Sequence, residues 1–179
     1  IMSSGRVATR YAKGLLKHGN QKGNSPEIFA SVQFMIRILD EVKMLREFID
    51  NPAFSTDEKC NKIKELVGDQ KHTDIVNFIQ LLLKKHREEY LYNSLHIFRN
   101  LYLRENNILD VVIESVNELD DNVVSRIEAY ISSQFGKKCE IKVEVNPALI
   151  AGIVILVDGK VIDYSVKGQL EGFRKKLVG

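Results

Sequence analysis

The sequence contains few cysteines and no long apolar segment. Two cysteines, Cys60 and Cys139, lie far apart among 179 residues, and neither belongs to a CxxC pair. This spacing favours reduced, buried thiols over a disulfide framework and so predicts a cytoplasm-like compartment. No segment approaches the roughly 18 uninterrupted apolar residues of a membrane-spanning helix. Residues 3–11 are polar and basic, unlike a secretory signal, and Ile1 before Met2 suggests that the native chain starts at Met2.

An excess of one charge is also lacking. Lysine and arginine number 26 against 24 aspartate and glutamate residues, for a net charge of +2, and they are scattered along the chain. A nucleic-acid-binding protein normally has a strongly basic face or tail. The basic runs 84–87 and 174–176 are interpreted as solvated helix ends, where cations suit the helix dipole. We therefore predict no nucleic-acid partner.

Signals of catalysis are absent as well. The histidines, His18, His72, His86 and His96, do not have the spacing of metal ligands such as HExxH, and no glycine-rich phosphate loop is present. Asp163 lies among apolar residues at a strand end, but it has no second titratable group beside it. A structural role, accepting backbone N–H groups before the last helix, is therefore favoured over general-base catalysis. We predict no enzyme activity, catalytic residue, metal, cofactor or small-molecule substrate.

The first 105 residues show helical periodicity and no convincing strand. A helix over 6–18 and a loop over 19–25, which is rich in turn residues, precede a long helix that Ser25 caps and Pro26 opens. The apolar stripe of this long helix continues without a break to Ile49.

Two further helices are predicted in this half. Ser55 and Glu58 have the spacing of a capping box, which starts a short helix closed by Gly68. The apolar residues of that helix are expected to point inward: Cys60, Ile63, Leu66 and Val67. Another helix is predicted from Glu88 to Glu105.

Two helices carry more apolar surface than a simple bundle core needs. In the first helix, Val7, Tyr11 and Gly14 fall on one side, next to an alanine- and leucine-rich side. In a helix over 73–86, Leu81 and Leu83 flank the core stripe and widen the apolar surface to roughly 200°. The residues alone leave two alternatives open: a second layer of core, or an edge that is presented to a partner.

After residue 107 the periodicity changes to that of an α/β segment. A strand over 108–116, an amphipathic helix over 120–135 closed by Gly136, and a half-buried strand over 140–145 are predicted. The overall prediction is an α+β protein. An N-terminal all-α bundle of about six helices over residues 2–105 precedes a small C-terminal α/β domain over residues 106–179.

The most specific local signal is a β-hairpin in the second domain. Residues 152–157 form a continuous β-branched and aliphatic run, and Asp158-Gly159 is a strong turn signal. A return strand is expected over 161–164. Ser165 is placed to cap a last helix, whose apolar face runs from Val166 to Leu177.

Three motifs in this order resemble the δ subunit of F-type ATP synthases, whose mitochondrial counterpart is the oligomycin-sensitivity-conferring protein. They are RYAK at 10–13, NFIQLL at 77–82 followed by Arg87, and the run over 149–170 that contains LIAG, VID and SVKGQL. The resemblance extends along nearly the whole chain. The family usually has glycine at the positions of Ala151 and Tyr164, so surface details of the hairpin transfer less well.

The resemblance implies a non-catalytic stator subunit that links the catalytic head to the peripheral stalk. The head would thereby resist rotary torque during proton-driven ATP synthesis. In the family, the helical domain receives an amphipathic N-terminal helix of an α subunit in a groove between its first and fifth helices. The partner-binding residues that this implies are Tyr11, Gly14 and Leu81. Gly14, where the family often has alanine, would allow a partner backbone to approach closely.

The resemblance also implies a second partner. The α/β domain is expected to bind the C-terminal ends of the b-type stalk subunits, with Val166–Leu177 as the expected surface. A peripheral position at the cytoplasmic face of a bacterial inner membrane is expected, since no Arg- and Ser-rich transit segment precedes the domain. The alternative is a free-standing helical adaptor unrelated to the synthase. A nucleic-acid binder would instead show steeply salt-dependent binding.

Overall fold

A computed structural model describes residues 2–67, 72–149 and 152–162 of the chain. The chain divides into two compact units, Ile1–Tyr102 and Leu103–Gly179. The first unit is helical and the second contains a small sheet with one covering helix, so the predicted α+β class is confirmed. Among the described residues, no helix is both long and apolar enough to span a membrane.

The helical unit is formed by six α-helices and one short 3₁₀ helix in its described residues. The α-helices are α1 (Met2–Lys22), α2 (Ser25–Glu41), α3 (Lys43–Asp50), α4 (Thr56–Val67), α5 (Thr73–Lys84) and α6 (Leu91–Glu105), and the 3₁₀ helix is Glu88–Tyr90. Aliphatic and aromatic side chains from all six α-helices are buried between them. This arrangement matches the bundle of about six helices expected from periodicity.

The first helix is longer than predicted, so the prediction of a helix over 6–18 and a loop over 19–25 is wrong in extent. Gly19 is buried inside α1, and a Cβ atom at this position would lie 3.1 Å from the Cδ1 atom of Ile28. Gly19 therefore permits a close approach of α1 to α2 and does not form a turn. The turn is made by Gly23, whose φ of 75° is left-handed.

The predicted long second helix is two helices, because the chain breaks at Val42. This residue has φ −111° and ψ 78°, outside the helical region. Its side chain is 48% exposed, whereas Leu45 and Ile49 of α3 are buried. The break re-aims α3 so that its apolar face meets the core. At the other end of α2, Asn24 occupies the N-cap position that was assigned to Ser25, a shift of one residue.

The capping box at the start of α4 is confirmed. The Glu58 backbone N–H donates to Ser55 Oγ at 3.3 Å, and the Ser55 backbone N–H donates to Glu58 Oε2 at 2.8 Å. Three of the four predicted inward residues are buried, but Leu66 is 40% exposed, so that assignment is wrong. Gly68, the predicted end of this helix, lies outside the described residues.

The helices that flank the 3₁₀ segment also begin and end differently from the prediction. Helix α5 ends two residues before the predicted residue 86, since His86 adopts a left-handed φ of 50°. Helix α6 starts at Leu91, after the 3₁₀ turn, and not at Glu88. The turn places the Glu88 carboxylate against the buried Lys59 of α4, with Nζ and Oε1 3.2 Å apart.

The second unit contains a four-stranded mixed sheet. Its elements are β1 (Leu109–Ser115), α7 (Asp121–Phe135), β2 (Cys139–Val145), β3 (Ile153–Val157) and β4 (Lys160–Ile162), and the strand order is β2-β1-β3-β4. Strands β1 and β2 are parallel and connected through α7, whereas β3 pairs antiparallel with both β1 and β4. Ile131 of α7 packs with apolar side chains of β1 and β3. The predicted strand–helix–strand order and the hairpin are confirmed.

The predicted local signals of this unit are present as well. Asp120 caps α7 by accepting the Asn122 backbone N–H at 2.8 Å, and Gly136 ends the helix with a φ of 63°. Asp158 and Gly159 both have positive φ, as the primed turn of a two-residue hairpin requires. The predictions on Asp163, Ser165 and the last helix lie outside the described residues.

Candidate partner-binding furrow

One stripe of α1 faces α5. Tyr11 and His18 are seven residues apart, nearly two helical turns, so they project from the same side, and Gly14 lies between them. Tyr11 is half-buried, while Gly14 and His18 are exposed. The buried side of the same helix is a separate stripe that contains Ala8 and Ala12. The first helix therefore uses its alanine- and leucine-rich side for the core and keeps the Tyr11 stripe outside it.

A matching stripe runs along α5. Asp74 and Leu81 are also seven residues apart and share one side of this helix with Phe78. Phe78 is buried, but Leu81 is 46% exposed. Leu83, the other flanking leucine of the sequence prediction, is buried in the core. Of the two leucines that widen the apolar surface of α5, Leu83 therefore belongs to the core and Leu81 lies at an exposed edge.

The two stripes are joined at both ends by side-chain contacts. At one end, Asp74 accepts hydrogen bonds from Lys22 Nζ at 2.9 Å and Asn24 Nδ2 at 2.7 Å, and His18 Nε2 lies 3.1 Å from its Oδ1. These contacts pair the C-terminal end of α1 with the N-terminal end of α5. The helices therefore run antiparallel at this point.

At the other end, Tyr11 makes the connection. Its ring meets the Phe78 ring edge-on, with centroids 6.3 Å apart, and Arg87 Nη1 donates to Tyr11 Oη at 2.9 Å. Gly14 lies between Tyr11 and His18 along α1, and Leu81 lies between Phe78 and Arg87 along the chain. We call the surface formed by Tyr11, Gly14, Phe78 and Leu81 the α1–α5 furrow.

The space above Gly14 is open. A Cβ atom built on Gly14 would have no neighbouring atom within 4 Å, in contrast to Gly19 of the same helix. Packing against the described residues therefore does not require glycine at this position. Together with the exposed Leu81, this leaves a surface beside Tyr11 and Phe78 that the described residues of the helical unit do not cover.

Several residues of the furrow were not found by sequence analysis. Phe78 was not singled out as a partner-binding residue, and the polar cluster at the end of the furrow, formed by His18, Lys22, Asn24 and Asp74, was not recognised. An acidic residue in the first turn of α5 was the one available signal for Asp74, but it is equally typical of an ordinary helix start. In the described ranges, no three His, Cys, Asp or Glu side chains are grouped so as to hold a metal ion.

The polar cluster makes the stability of the bundle depend on pH. Burial alone would raise the pKa of the Asp74 carboxyl, but hydrogen bonds from Lys22, His18 and Asn24 outweigh it and hold the pKa below its ordinary value of 3.8. A depressed carboxyl pKa contributes stability above the pKa of the unfolded chain, and this contribution is lost as the pH falls through the folded pKa.

We therefore expect Asp74→Asn to lower the free energy of unfolding at neutral pH, with a deficit that closes as the pH falls below about 4. Urea denaturation of both proteins at a series of pH values measures this difference. A deficit that is the same at all pH values would show that the carboxylate charge does not contribute.

Gly14 offers a second test of the furrow, through stability alone. Because the added methyl group meets open space, Gly14→Ala is expected to raise the free energy of unfolding by about 0.5–1 kcal/mol, the cost of glycine inside a helix. Gly19→Ala is the matched control, and it should show no such gain because its Cβ would crowd Ser25 and Ile28. Equal gains at both positions would contradict the open space above Gly14.

Comparisons with known proteins identify the family. The sequence model of the ATP synthase delta (OSCP) subunit matches residues 7–177. The ATP synthase subunit delta of Rickettsia africae (strain ESF-5) is 31% identical over 177 residues, covering 98% of this chain and 96% of the relative. That of Carboxydothermus hydrogenoformans is 32% identical over 178 residues, covering 99% of this chain and all of the relative.

A solved structure shares the fold. A chain of the Toxoplasma gondii mitochondrial ATP synthase hexamer superposes with a TM-score of 0.71 at 17% identity, covering 96% of this chain and 97% of that chain. The family model and the two relatives show that the alternative of an adaptor unrelated to the synthase is wrong. The chain belongs to the ATP synthase delta (OSCP) subunit family and is a structural stator component of the synthase, not a catalytic subunit.

Proposed function

We propose that the α1–α5 furrow binds the N-terminal helix of an ATP synthase α subunit, with Tyr11, Gly14 and Leu81 as contact residues. The observation that carries this proposal is the exposure of Leu81, 46%, on a helix whose neighbouring leucines, Leu82 and Leu83, are buried. An amphipathic helix binds a groove by placing its apolar side chains into such a surface.

The shape of the furrow supports a helix as the occupant. The open space above Gly14 allows a partner backbone to approach α1 closely, because no side chain projects there. Tyr11 is held in place by Phe78 and Arg87, so its half-buried ring forms a fixed wall. A wall that is already ordered loses little conformational entropy when a partner binds.

The second attachment is proposed for the other unit. We assign the α/β unit to the C-terminal ends of the b-type stalk subunits, with Val166–Leu177, outside the described residues, as the expected surface. A subunit that holds the head by one unit and the stalk by the other transmits torque without any chemical step. The coarse role, a component of the synthase stator, already follows from the family.

The proposed location follows from this assembly. We place the subunit at the cytoplasmic face of a bacterial inner membrane, peripheral to the membrane and attached to it through the complex. The coarser part of this placement, membership of an ATP synthase complex, is supported by the family model and the relatives.

The experiment has two arms that use the full-length chain. Titration calorimetry with a synthetic peptide of the α-subunit N-terminus, and separately with a C-terminal fragment of the b subunit, measures the two attachments. We expect each ligand to bind alone and both to bind together. Absence of heat with the α peptide would contradict the furrow assignment, whereas absence of heat with the b fragment would contradict the assignment of the second unit.

A further inference from the structure

Helix α1 carries a basic stripe and no acidic residue. Arg6, Arg10, Lys13 and Lys17 recur at spacings of four, three and four residues, which places them along one side of the helix. All four are exposed. In the part of the chain that the structure describes, none of them forms a salt bridge. The near-neutral net charge of the whole chain hides this local concentration.

Two of these residues border the α1–α5 furrow. At about 100° per residue, Arg10 and Lys17 project within about 60° of Gly14, on the side of Gly14 that faces away from Tyr11. The buried alanines of α1 lie beyond Tyr11 in the opposite direction. A helix lying over Gly14 would therefore pass beside the ends of Arg10 and Lys17.

The charges on the α5 side have the same sign at one end of the furrow. Lys84, Lys85 and Arg87 are exposed where α5 ends, and the Arg87 guanidinium already contacts Tyr11. Asp74 is the acidic residue of the α5 stripe, and its carboxylate is engaged by Lys22 and the neighbouring donors. Glu89 is also exposed close to Arg87, so the positive charge that has no acidic neighbour on its own helix is that of Arg10 and Lys17 on α1.

We infer that the helix bound in the furrow is acidic along the flank that faces α1, with carboxylates next to Arg10 and Lys17. This inference rests on the proposed function and specifies the charge of the partner. Charges at the rim of an interface act mainly by steering association and by fixing the orientation of the partner. If the partner helix is acidic on only one side of its apolar stripe, only one of its two orientations in the furrow places that side next to Arg10 and Lys17.

The test uses charge reversal in the full-length chain. Arg10→Glu and Lys17→Glu are compared with the wild type for binding of the α-subunit N-terminal peptide, by titration calorimetry at low and high salt. Arg126→Glu on α7 is the matched control, because Arg126 is also an exposed helical arginine but belongs to the other unit. We expect each furrow variant to bind about tenfold more weakly at low salt, since charge reversal removes an attraction to the peptide carboxylates and adds a repulsion.

The difference in peptide affinity between the wild type and the charge-reversal variants should become smaller at high salt, since exposed charges are screened over about 8 Å at physiological ionic strength. The control should bind as the wild type does. A peptide whose acidic residues are replaced by glutamine should bind wild type and variants alike, which ties the effect to those carboxylates.

Two results would overturn the inference and are distinguishable from failure of the furrow itself. The first is that Arg10→Glu and Lys17→Glu bind the peptide as tightly as the wild type while Leu81→Asp does not bind. That result would support the furrow as the binding site and contradict the inference of an acidic partner flank. If the variants keep peptide binding but lose binding to phosphatidylglycerol vesicles, the basic stripe serves a membrane surface and the inference is also wrong. Failure of Leu81→Asp to weaken binding would contradict the furrow assignment first.

Discussion

Leu81→Asp is expected to abolish binding of the α-subunit N-terminal peptide while the protein remains folded. The side chain is 46% exposed, so the carboxylate can stay hydrated in the free protein and the fold loses little. In the complex, the same carboxylate would be buried against an apolar helix without a partner. Loss of a central apolar anchor in this way should cost about 2–4 kcal/mol of binding free energy. Titration calorimetry measures the affinity, and circular dichroism reports the fold.

The chain provides a matched control for this substitution. Leu66 is 40% exposed on α4, so Leu66→Asp introduces the same charge on a similar helical surface away from the furrow. It should leave the affinity unchanged. Gly14→Trp tests the furrow from α1. A Cβ at this position meets no other atom within 4 Å, so the indole should be tolerated by the fold while it occupies the space that the partner helix needs. Unchanged peptide binding by both Leu81→Asp and Gly14→Trp would remove the furrow from the mechanism.

Lys59→Ala is expected to destabilise the helical unit by about 3–5 kcal/mol, the cost of leaving one member of a buried ion pair without its partner. Lys59 is only 3% exposed, and Glu88 is 19% exposed. Lys59 Nζ donates to Glu88 Oε1, while the buried Glu88 Oε2 atom accepts no hydrogen bond from the described residues. Removal of the ammonium group would therefore leave a carboxylate that is neither paired nor fully hydrated.

Urea denaturation measures this loss as a change in the free energy of unfolding. Lys62→Ala is the control, since it breaks the exposed Lys62–Glu65 pair and should cost no more than about 0.5 kcal/mol. The double variant Lys59→Met with Glu88→Met should recover much of the lost stability, because apolar replacement of a buried pair is often neutral. A Lys59→Ala cost below about 1 kcal/mol would show that the pair is hydrated and not buried in solution.

Much of the local structure could be read from the sequence because its causes are local. The capping box of Ser55 and Glu58, the αL glycine at Gly136 and the Asp158-Gly159 turn each depend on residues within a few positions of one another. The sequence also places Asp120 and Ser55 correctly at helix starts. Errors occur where a neighbouring element decides the outcome, as at Val42, where packing of α3 ends a helix that periodicity would continue.

The candidate site was only partly predictable for the same reason. Leu81 and Leu83 look equivalent in the sequence, since each flanks the apolar stripe of α5 by a similar angle. The sequence alone therefore left a second core layer and a partner edge as open alternatives. The folded bundle buries one and exposes the other. Asp74 could not be connected to Lys22 either, since 52 positions separate them in the chain.

By itself, the sequence determined the order of helices and strands, the two-part organisation and the family motifs. Only the tertiary structure decided which apolar side of each helix is covered, and it leaves Gly14 and Leu81 exposed and Tyr11 half-buried. The physical reason is that periodicity fixes the direction of a side chain around its own helix axis, whereas burial depends on which other element packs against that direction. The same limit applies to charge. The sequence shows that α1 has a basic stripe, but only the packing of α5 against α1 shows that this stripe lies beside the furrow.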